Sequence, residues 1–193
     1  MERSYIANTL KHIMKLCLVM FLISAVSMGS LTGCTGKPEH DSSGNEKTMK
    51  LSSDNLHDGV WDDVISNTSA GQNHSPALCW DPVDGASEYA IYMIDTSANN
   101  WLHWKTGNIT STALNEGQIP ETEYIGPYPP SGTHTYEIYV LALKGPAKEL
   151  AGDFDAANPD PAVLMSSADT DKDGNTGNII ATGKLSGTFT HKD

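Results

Sequence analysis

From residue 51 onward, short apolar stretches alternate with clusters of Gly, Pro, Asn and Asp. No stretch of this region keeps the apolar spacing of an amphipathic helix over many turns, so the pattern predicts β-strands. Residues 89–94 are continuously apolar, which indicates a strand covered on both faces. Residues 101–109 form a second predicted strand, after a turn rich in Asn and Ser.

Strict alternation predicts two longer strands nearer the C-terminus. In residues 134–143, one face of the strand carries His134 and Tyr136 together with aliphatic residues, and the other face carries Thr135. Residues 179–189 alternate in the same way, and their small side chains suit a strand that packs closely against a neighbour.

A single short helix is predicted near residue 161. Asp160 can cap its N-terminus, and Pro161 suits the first helical position, where its missing N–H has no cost. The predicted fold class is therefore all-β, as a mostly antiparallel sandwich with one or two short helices.

The first 34 residues have a different character. A basic start is followed by an apolar run over 16–26 and then by small residues, which is typical of a secretory signal. The run is shorter than the roughly 20 residues of a membrane span. The segment 31–34 (LTGC) resembles the bacterial lipobox, which predicts cleavage after residue 33 and lipidation of Cys34. An ordinary signal peptide and an uncleaved anchor are the alternatives.

The remaining sequence divides into a tether and a domain. Residues 34–48 are polar with no apolar period, so we expect the lipidated cysteine and a flexible tether there, followed by one domain over 49–193. The location expected from this organisation is extracytoplasmic, with the membrane contacted through the lipid on Cys34.

Charge and cysteine content restrict the possible functions. The 193 residues carry a net charge of −12, and residues 34–193, with nine basic and 23 acidic residues, carry −14. Such an acidic chain is not expected to bind nucleic acid, which requires a basic face. Cys79 is the only cysteine after Cys34, so no intrachain disulfide is expected if Cys34 is lipidated. We interpret Cys79 as a small buried core residue.

Candidate functional residues lie at three strand ends. Asp95 closes the apolar strand over 89–94, and Trp101 and His103 share one face of the next strand. A loop rich in Pro and Gly, residues 126–132, leads into the strand that begins with His134. Its prolines make this loop rigid and reduce the number of N–H donors.

These segments occur in the order found in a known family. The sequence resembles the phosphatidylethanolamine-binding proteins, also called Raf kinase inhibitor-like proteins, from about residue 51 to 192. The similarity is carried by the segments 75–80 (SPALCW), 88–95, 101–109, 126–136 and 178–189.

The resemblance implies a Greek-key sandwich with a small pocket for an anion, such as the phosphate of a phospholipid head group. The implied pocket residues are Asp95, Trp101, His103, Gly126, Pro129, His134 and Tyr136. Imidazole and phenol groups can donate hydrogen bonds to phosphate oxygens. Two departures weaken the implied rim: the family's Asp-Pro-Asp-x-Pro reads DTSAN over 95–99, and Thr135 replaces the usual Arg.

An acidic loop precedes the last predicted strand. Asp169, Asp171, Asp173 and Asn175 follow the alternate spacing of a calcium loop, and Gly174 permits the sharp turn. The twelfth position is Ile180 instead of the usual Glu, so a solvated acidic turn is the alternative. Calcium is the only cofactor that the sequence suggests.

The sequence therefore predicts an exported, lipid-anchored binding protein for a small phosphorylated or otherwise anionic ligand. A protein-interaction module that inhibits or modulates an unidentified partner is the alternative. A hydrolase using Asp95, His103 and His134 is less favoured, because no G-x-S-x-G nucleophile elbow is present. A metal-dependent form, with two His and one Asp as ligands, is the version of this alternative that the residues allow. We therefore expect no enzymatic activity.

Overall fold

The computed structural model describes residues 47–192. The predicted signal peptide, the predicted lipidation of Cys34 and most of the predicted tether lie outside these residues. The last two positions of the predicted tether, 47 and 48, form a short strand. The described part contains ten strands: β1 (Lys47–Thr48), β2 (Leu51–Ser52), β3 (Leu56–His57), β4 (Val60–Trp61), β5 (Leu78–Trp80), β6 (Glu88–Asp95), β7 (Trp101–Ile109), β8 (Ala113–Leu114), β9 (Thr133–Leu143) and β10 (Ile179–Thr190).

The four long strands lie side by side in a seven-stranded sheet, in which six strands follow the order β3-β4-β10-β9-β6-β7 and the seventh, β1, pairs with β10. All three pairings among the long strands are antiparallel, which confirms the predicted all-β class. The sheet is nevertheless mixed, because β1 and β4 each pair with β10 in the parallel direction. The pairing is thus mostly antiparallel, as predicted, and the parallel exceptions are confined to these two short strands.

The large sheet is covered on both faces. On one face, Ile91 of β6 and Ile138 of β9 belong to a core that includes Leu51, Leu78 and Leu114 of the small sheet β2-β5-β8. On the other face, apolar side chains of β6 and β9 contact residues 147–168. Every residue of β6 is buried, which confirms the strand covered on both faces.

Cys79 corrects one residue-level prediction. It lies in β5 between the buried residues Leu78 and Trp80, and successive strand residues point to opposite faces. Since both neighbours face the core, Cys79 faces outward, and its side chain is exposed. The interpretation of Cys79 as a buried core residue is therefore wrong.

One α-helix, α1 (Pro161–Ser166), covers part of the second face. The Asp160 side chain accepts a hydrogen bond from the Ala162 N–H at 2.8 Å, and Pro161 lies in the first turn, which confirms the predicted cap. Leu164 is the helix residue buried against the sheet. Within residues 47–192, no helix is both long enough and apolar enough to cross a membrane.

The acidic loop after α1 is organised by hydrogen bonds to its own backbone. The Asp169 carboxylate accepts the N–H groups of Gly177 and Ile179. Asp171 accepts the N–H groups of Asp173 and Asn175. Throughout 47–192, no three His, Cys, Asp or Glu residues are grouped so that they could hold a metal ion. Calcium binding by Asp169, Asp171, Asp173 and Asn175 stays a prediction.

Candidate binding pocket

A cavity of about 380 Å³ opens where β6 ends and β7 begins. In the sheet register, Asp95 lies opposite Trp101 of β7 on one side and opposite Tyr136 of β9 on the other. The central position of β6 therefore brings the predicted strand-end residues together. The cavity is lined by Asp95, Ala98, Asn99, Trp101, His103, Ile125, Gly126, Tyr128, Pro130 and Asp155.

Asp95 is the buried acid of the cavity, with 2% of its surface exposed. One carboxylate oxygen accepts the Ser97 N–H at 2.8 Å, and the other accepts a hydrogen bond from His134 Nδ1 at 2.6 Å. The Ser97 hydroxyl in turn accepts the Thr135 N–H at 2.9 Å. Ser97 thus connects the β6–β7 turn to β9 in the segment that departs from the family motif.

His103 contributes a neutral imidazole to the cavity wall. Its Nδ1–H donates to the Ile125 carbonyl at 2.9 Å, and the Ile125 N–H donates back to the His103 carbonyl at 2.8 Å. Burial lowers the pKa of His103, and the nearby Asp95 and Asp155 carboxylates offset this only in part. With the proton on Nδ1, the free ring atom Nε2 is a hydrogen-bond acceptor.

Tyr136 and His134 are not among the residues that line the cavity, but each contacts a residue that does, His103 and Asp95 respectively. The Tyr136 ring contacts the His103 ring edge to face at 5.2 Å and stacks on His134 at 6.5 Å. Its hydroxyl is buried and has no hydrogen-bond partner within the described chain. Burial, reinforced by the Asp95 carboxylate, raises the pKa of Tyr136, so the hydroxyl keeps its proton.

Gly126 allows the proline-rich loop to dock against the core. Its N–H donates to the Asn73 side-chain oxygen at 2.7 Å. A Cβ at this position would lie 2.0 Å from the Ile65 carbonyl oxygen, a distance too short for any side chain. The hydroxyl of Tyr124 donates to the same Ile65 oxygen at 2.8 Å. Glycine is therefore required for the close approach, as well as for the shape of the cavity wall.

Trp101 and Asp155 form the outer rim. The Trp101 indole N–H donates to one Asp155 carboxylate oxygen at 3.0 Å. The backbone around Asp155 is fixed to β7, because the Asp155 N–H donates to the Leu102 carbonyl and the Leu102 N–H donates to the Ala156 carbonyl. These contacts place a segment without regular secondary structure along the edge of β7.

Four of the seven predicted pocket residues line the cavity: Asp95, Trp101, His103 and Gly126. Pro129 does not, and its carbonyl instead accepts a hydrogen bond from His191. Its neighbours Tyr128 and Pro130 lie in the wall and belong to the segment that the sequence analysis identified. Asp155 was missed, and its local sequence carries no periodic or motif signal.

Comparisons with known proteins identify the family and the fold. A sequence model of the family described as phosphatidylethanolamine-binding protein matches residues 52–190. A curated protein of Methanothermobacter thermautotrophicus, named only as a UPF0098 protein, is 37% identical over 39% of this chain and 64% of its own length. The chain thus matches somewhat less than two thirds of that relative.

Two solved structures share the fold. A phosphatidylethanolamine-binding protein homologue from Chlamydia trachomatis has a TM-score of 0.56 and 23% identity, covering 77% of this chain and all of its own. Escherichia coli YbcL, described as a member of the mammalian family, has a TM-score of 0.56 and 21% identity, covering 75% and 99%. Since the family match spans most of the chain, this protein belongs to the phosphatidylethanolamine-binding protein family.

Proposed function

We propose that this protein is an exported, lipid-anchored binding protein whose pocket holds a small anionic ligand, such as a phosphorylated head group. Family membership supports a binding function. The observation that carries the proposal is the group of Asp95, His134 and Tyr136 beside the cavity, in which Tyr136 has a buried hydroxyl without a partner among the described residues.

The chemistry of this group suits an anion. Asp95 accepts a hydrogen bond from His134 Nδ1–H, so Nε2 is the atom of this imidazole that is left for a ligand. When His134 is protonated, Nε2–H is a donor, and the Tyr136 hydroxyl is a second donor close to it. Hydrogen bonds from such donors to phosphate oxygens are strong in a site that excludes water.

The test uses the full chain in a nonionic detergent, with phosphoethanolamine as the probe and calorimetry as the measurement. We expect His134→Ala to weaken binding about tenfold or more, since a charge-assisted hydrogen bond is lost. His74→Ala is the matched control, because His74 lies outside the cavity and its side chain is 41% exposed. Unchanged affinity in a folded His134→Ala variant would remove this site from the proposal.

The export and anchoring part of the proposal depends on the sequence of residues 1–34. Lys47 and Thr48 pair with Ala181 and Thr182 of β10, whereas His134 pairs with Phe189, seven residues further along the same strand. At about 3.3 Å per residue, residues 47 and 48 lie roughly 23 Å from the pocket end, and a tether before them would enter the domain there. Incorporation of a labelled fatty acid that is lost in Cys34→Ser tests the anchor.

A further inference from the structure

The connection between β9 and α1 contains a segment, residues 153–158, that is closed by one side chain. The Asn158 side-chain oxygen accepts the Asp153 N–H at 2.8 Å. The Asn158 side-chain amide donates to the Asp153 carbonyl at 2.9 Å and to the Ala156 carbonyl at 2.8 Å. Only this orientation of the amide satisfies all three groups, since its nitrogen donates and its oxygen accepts. We call this segment the rim loop.

Backbone hydrogen bonds attach the rim loop to two walls of the pocket. The Asp155 N–H donates to the Leu102 carbonyl and the Leu102 N–H donates to the Ala156 carbonyl, both at 2.9 Å, so the loop lies along the edge of β7. On its other side, the Asn158 N–H donates to the Asn99 carbonyl at 3.2 Å. Asn99 belongs to the β6–β7 turn and lines the cavity. Asn158 therefore both closes the rim loop and connects it to the turn.

The β6–β7 turn depends on contacts from outside for its shape. Its sequence over 95–100 is DTSANN, so no proline ring fixes a φ angle in this chain. Asn99 and Asn100 have left-handed backbones, at φ +51° and +54°. Residues other than glycine keep this conformation where surrounding contacts hold it. The hydrogen bond from Asn158 is such a contact, made at the first of the two left-handed residues.

The rim loop also fixes the exposed indole of the pocket. The Trp101 indole N–H donates to an Asp155 carboxylate oxygen at 3.0 Å, and both residues line the cavity. The Asp155 backbone is itself left-handed, at φ +55°, within the segment that Asn158 closes. Opening of the loop would therefore release Trp101 on one side of the cavity and the β6–β7 turn on the other.

We infer that Asn158 is a positioning residue for the pocket, which holds the rim loop closed and thereby fixes two of the cavity walls. Asn158 is not among the residues that line the cavity, so it acts through Asp155, Trp101 and Asn99 and not by touching a ligand. The inference rests on the proposed function, because the position of these walls matters for binding only if the pocket holds a ligand. It assigns to the β9–α1 connection the rigidity that the turn lacks without proline.

Trp101 offers a readout of this positioning that needs no ligand. It is 36% exposed, whereas the other three tryptophans, Trp61, Trp80 and Trp104, are at most 3% exposed. Collisional quenching of fluorescence by acrylamide therefore reports mainly on Trp101. We expect Asn158→Ala to raise the quenching constant of the full chain by up to about twofold, since local opening exposes more of this indole.

Calorimetry with phosphoethanolamine, on the full chain in nonionic detergent, tests the consequence for binding. Asn158→Ala removes the three hydrogen bonds that close the loop. If about a fifth of the molecules then keep both walls in place, the affinity falls about fivefold. Asn158→Asp keeps the side-chain size and the acceptor for Asp153, but it places an oxygen against the two carbonyls. It should therefore change quenching and affinity in the same direction.

Asn115→Ala and Asn115→Asp are the matched controls. Asn115 is an exposed asparagine that follows β8 and lies outside the cavity lining. The aspartate at this position adds the same charge as Asn158→Asp. Neither control should change the quenching constant or the affinity.

The two measurements separate this inference from the proposed function. If the wild type does not bind phosphoethanolamine, the proposed function fails, and quenching alone decides whether Asn158 holds the rim loop. Unchanged quenching in Asn158 variants that still unfold cooperatively overturns the inference, as does raised quenching with unchanged affinity. Equal losses of affinity in the Asn158 and Asn115 variants overturn it as well.

Discussion

The environment of His103 fixes both its tautomer and its charge. It is 6% exposed, and its Nδ1–H is used by the Ile125 carbonyl. Burial is the largest influence and lowers its pKa below the ordinary 6.5 of histidine, whereas the Asp95 and Asp155 carboxylates act in the opposite direction. The folded protein therefore favours the neutral ring more strongly than the unfolded chain does.

This difference predicts a pH dependence of stability. Below about pH 6.5 the unfolded chain takes up a proton at His103 that the folded protein resists, so the contribution of this residue to stability falls as the pH falls. The slope from one such group reaches at most about 1.4 kcal/mol per pH unit. We expect His103→Gln, which keeps an N–H donor for Ile125, to lose less stability than the wild type between about pH 7 and pH 5.

Chemical denaturation at several pH values measures this difference. His74→Gln is the control, since His74 is a partly exposed surface residue paired with Glu116. Parallel stability curves for wild type and His103→Gln would contradict the proposed neutral state of His103.

Asp95 and His103 could be identified from sequence because each lies near the end of a predicted strand, in a segment that resembles the family. Asp155 could not be identified in this way. It lies 54 positions after Trp101 along the chain, and it reaches the pocket through hydrogen bonds between irregular backbone and β7. Such contacts depend on the path of a long connection, and this path has no local signature in the residue pattern.

The loop between β8 and β9 shapes the pocket through its contact with residues 65–67. Gly126→Ala would place a methyl group 2.0 Å from the Ile65 carbonyl oxygen and 2.8 Å from the Asn67 nitrogen. Since both obstacles are backbone atoms, the loop itself must move. We expect the free energy of unfolding to fall by about 2–4 kcal/mol and phosphoethanolamine binding to weaken with it.

Gly145→Ala provides the comparison for this loop variant. A Cβ at Gly145 would meet no heavy atom within 4 Å, and its backbone is not in the left-handed region. Its free energy of unfolding should stay within about 0.5 kcal/mol of the wild type. Equal stability of Gly126→Ala and Gly145→Ala would show that the loop tolerates displacement.

At the level of elements, the apolar pattern predicted the long strands, as a continuous run in β6, which is buried on both faces, and as alternation in β10. It could not predict the parallel partners of β10, since β1 and β4 are only two residues long. Two residues carry almost no periodic information, and their pairing is decided by where the chain enters the sheet. The outward direction of Cys79 could not be predicted for the same reason. In the three-residue strand β5, pairing with β2 and β8 decides which residues face the core.

Across the whole molecule, charge and topology act on ligand binding together. The sequence carries 24 acidic residues against 12 basic ones, and the resulting net charge of −12 repels anions at a distance. The pocket end of the sheet also displays Asp95 and Asp155 in its cavity. The net charge of the chain and the carboxylates of the cavity therefore both repel an approaching phosphate.

These fields predict opposite salt responses for a simple anion and for a cation. At about pH 7.5 ethyl phosphate carries nearly two negative charges, whereas the ammonium of phosphoethanolamine cancels one of them. Raising the ionic strength from about 0.01 M to 0.1 M shortens the Debye length from about 30 Å to 10 Å, which screens the repulsion. We expect the affinity for ethyl phosphate to rise about threefold, that for phosphoethanolamine to change less, and that for ethanolamine to fall.

Calorimetry in sodium chloride measures all three affinities. Competition by chloride would weaken ethyl phosphate binding, so an increase can only come from screened repulsion, and a decrease would contradict the acidic field around the pocket.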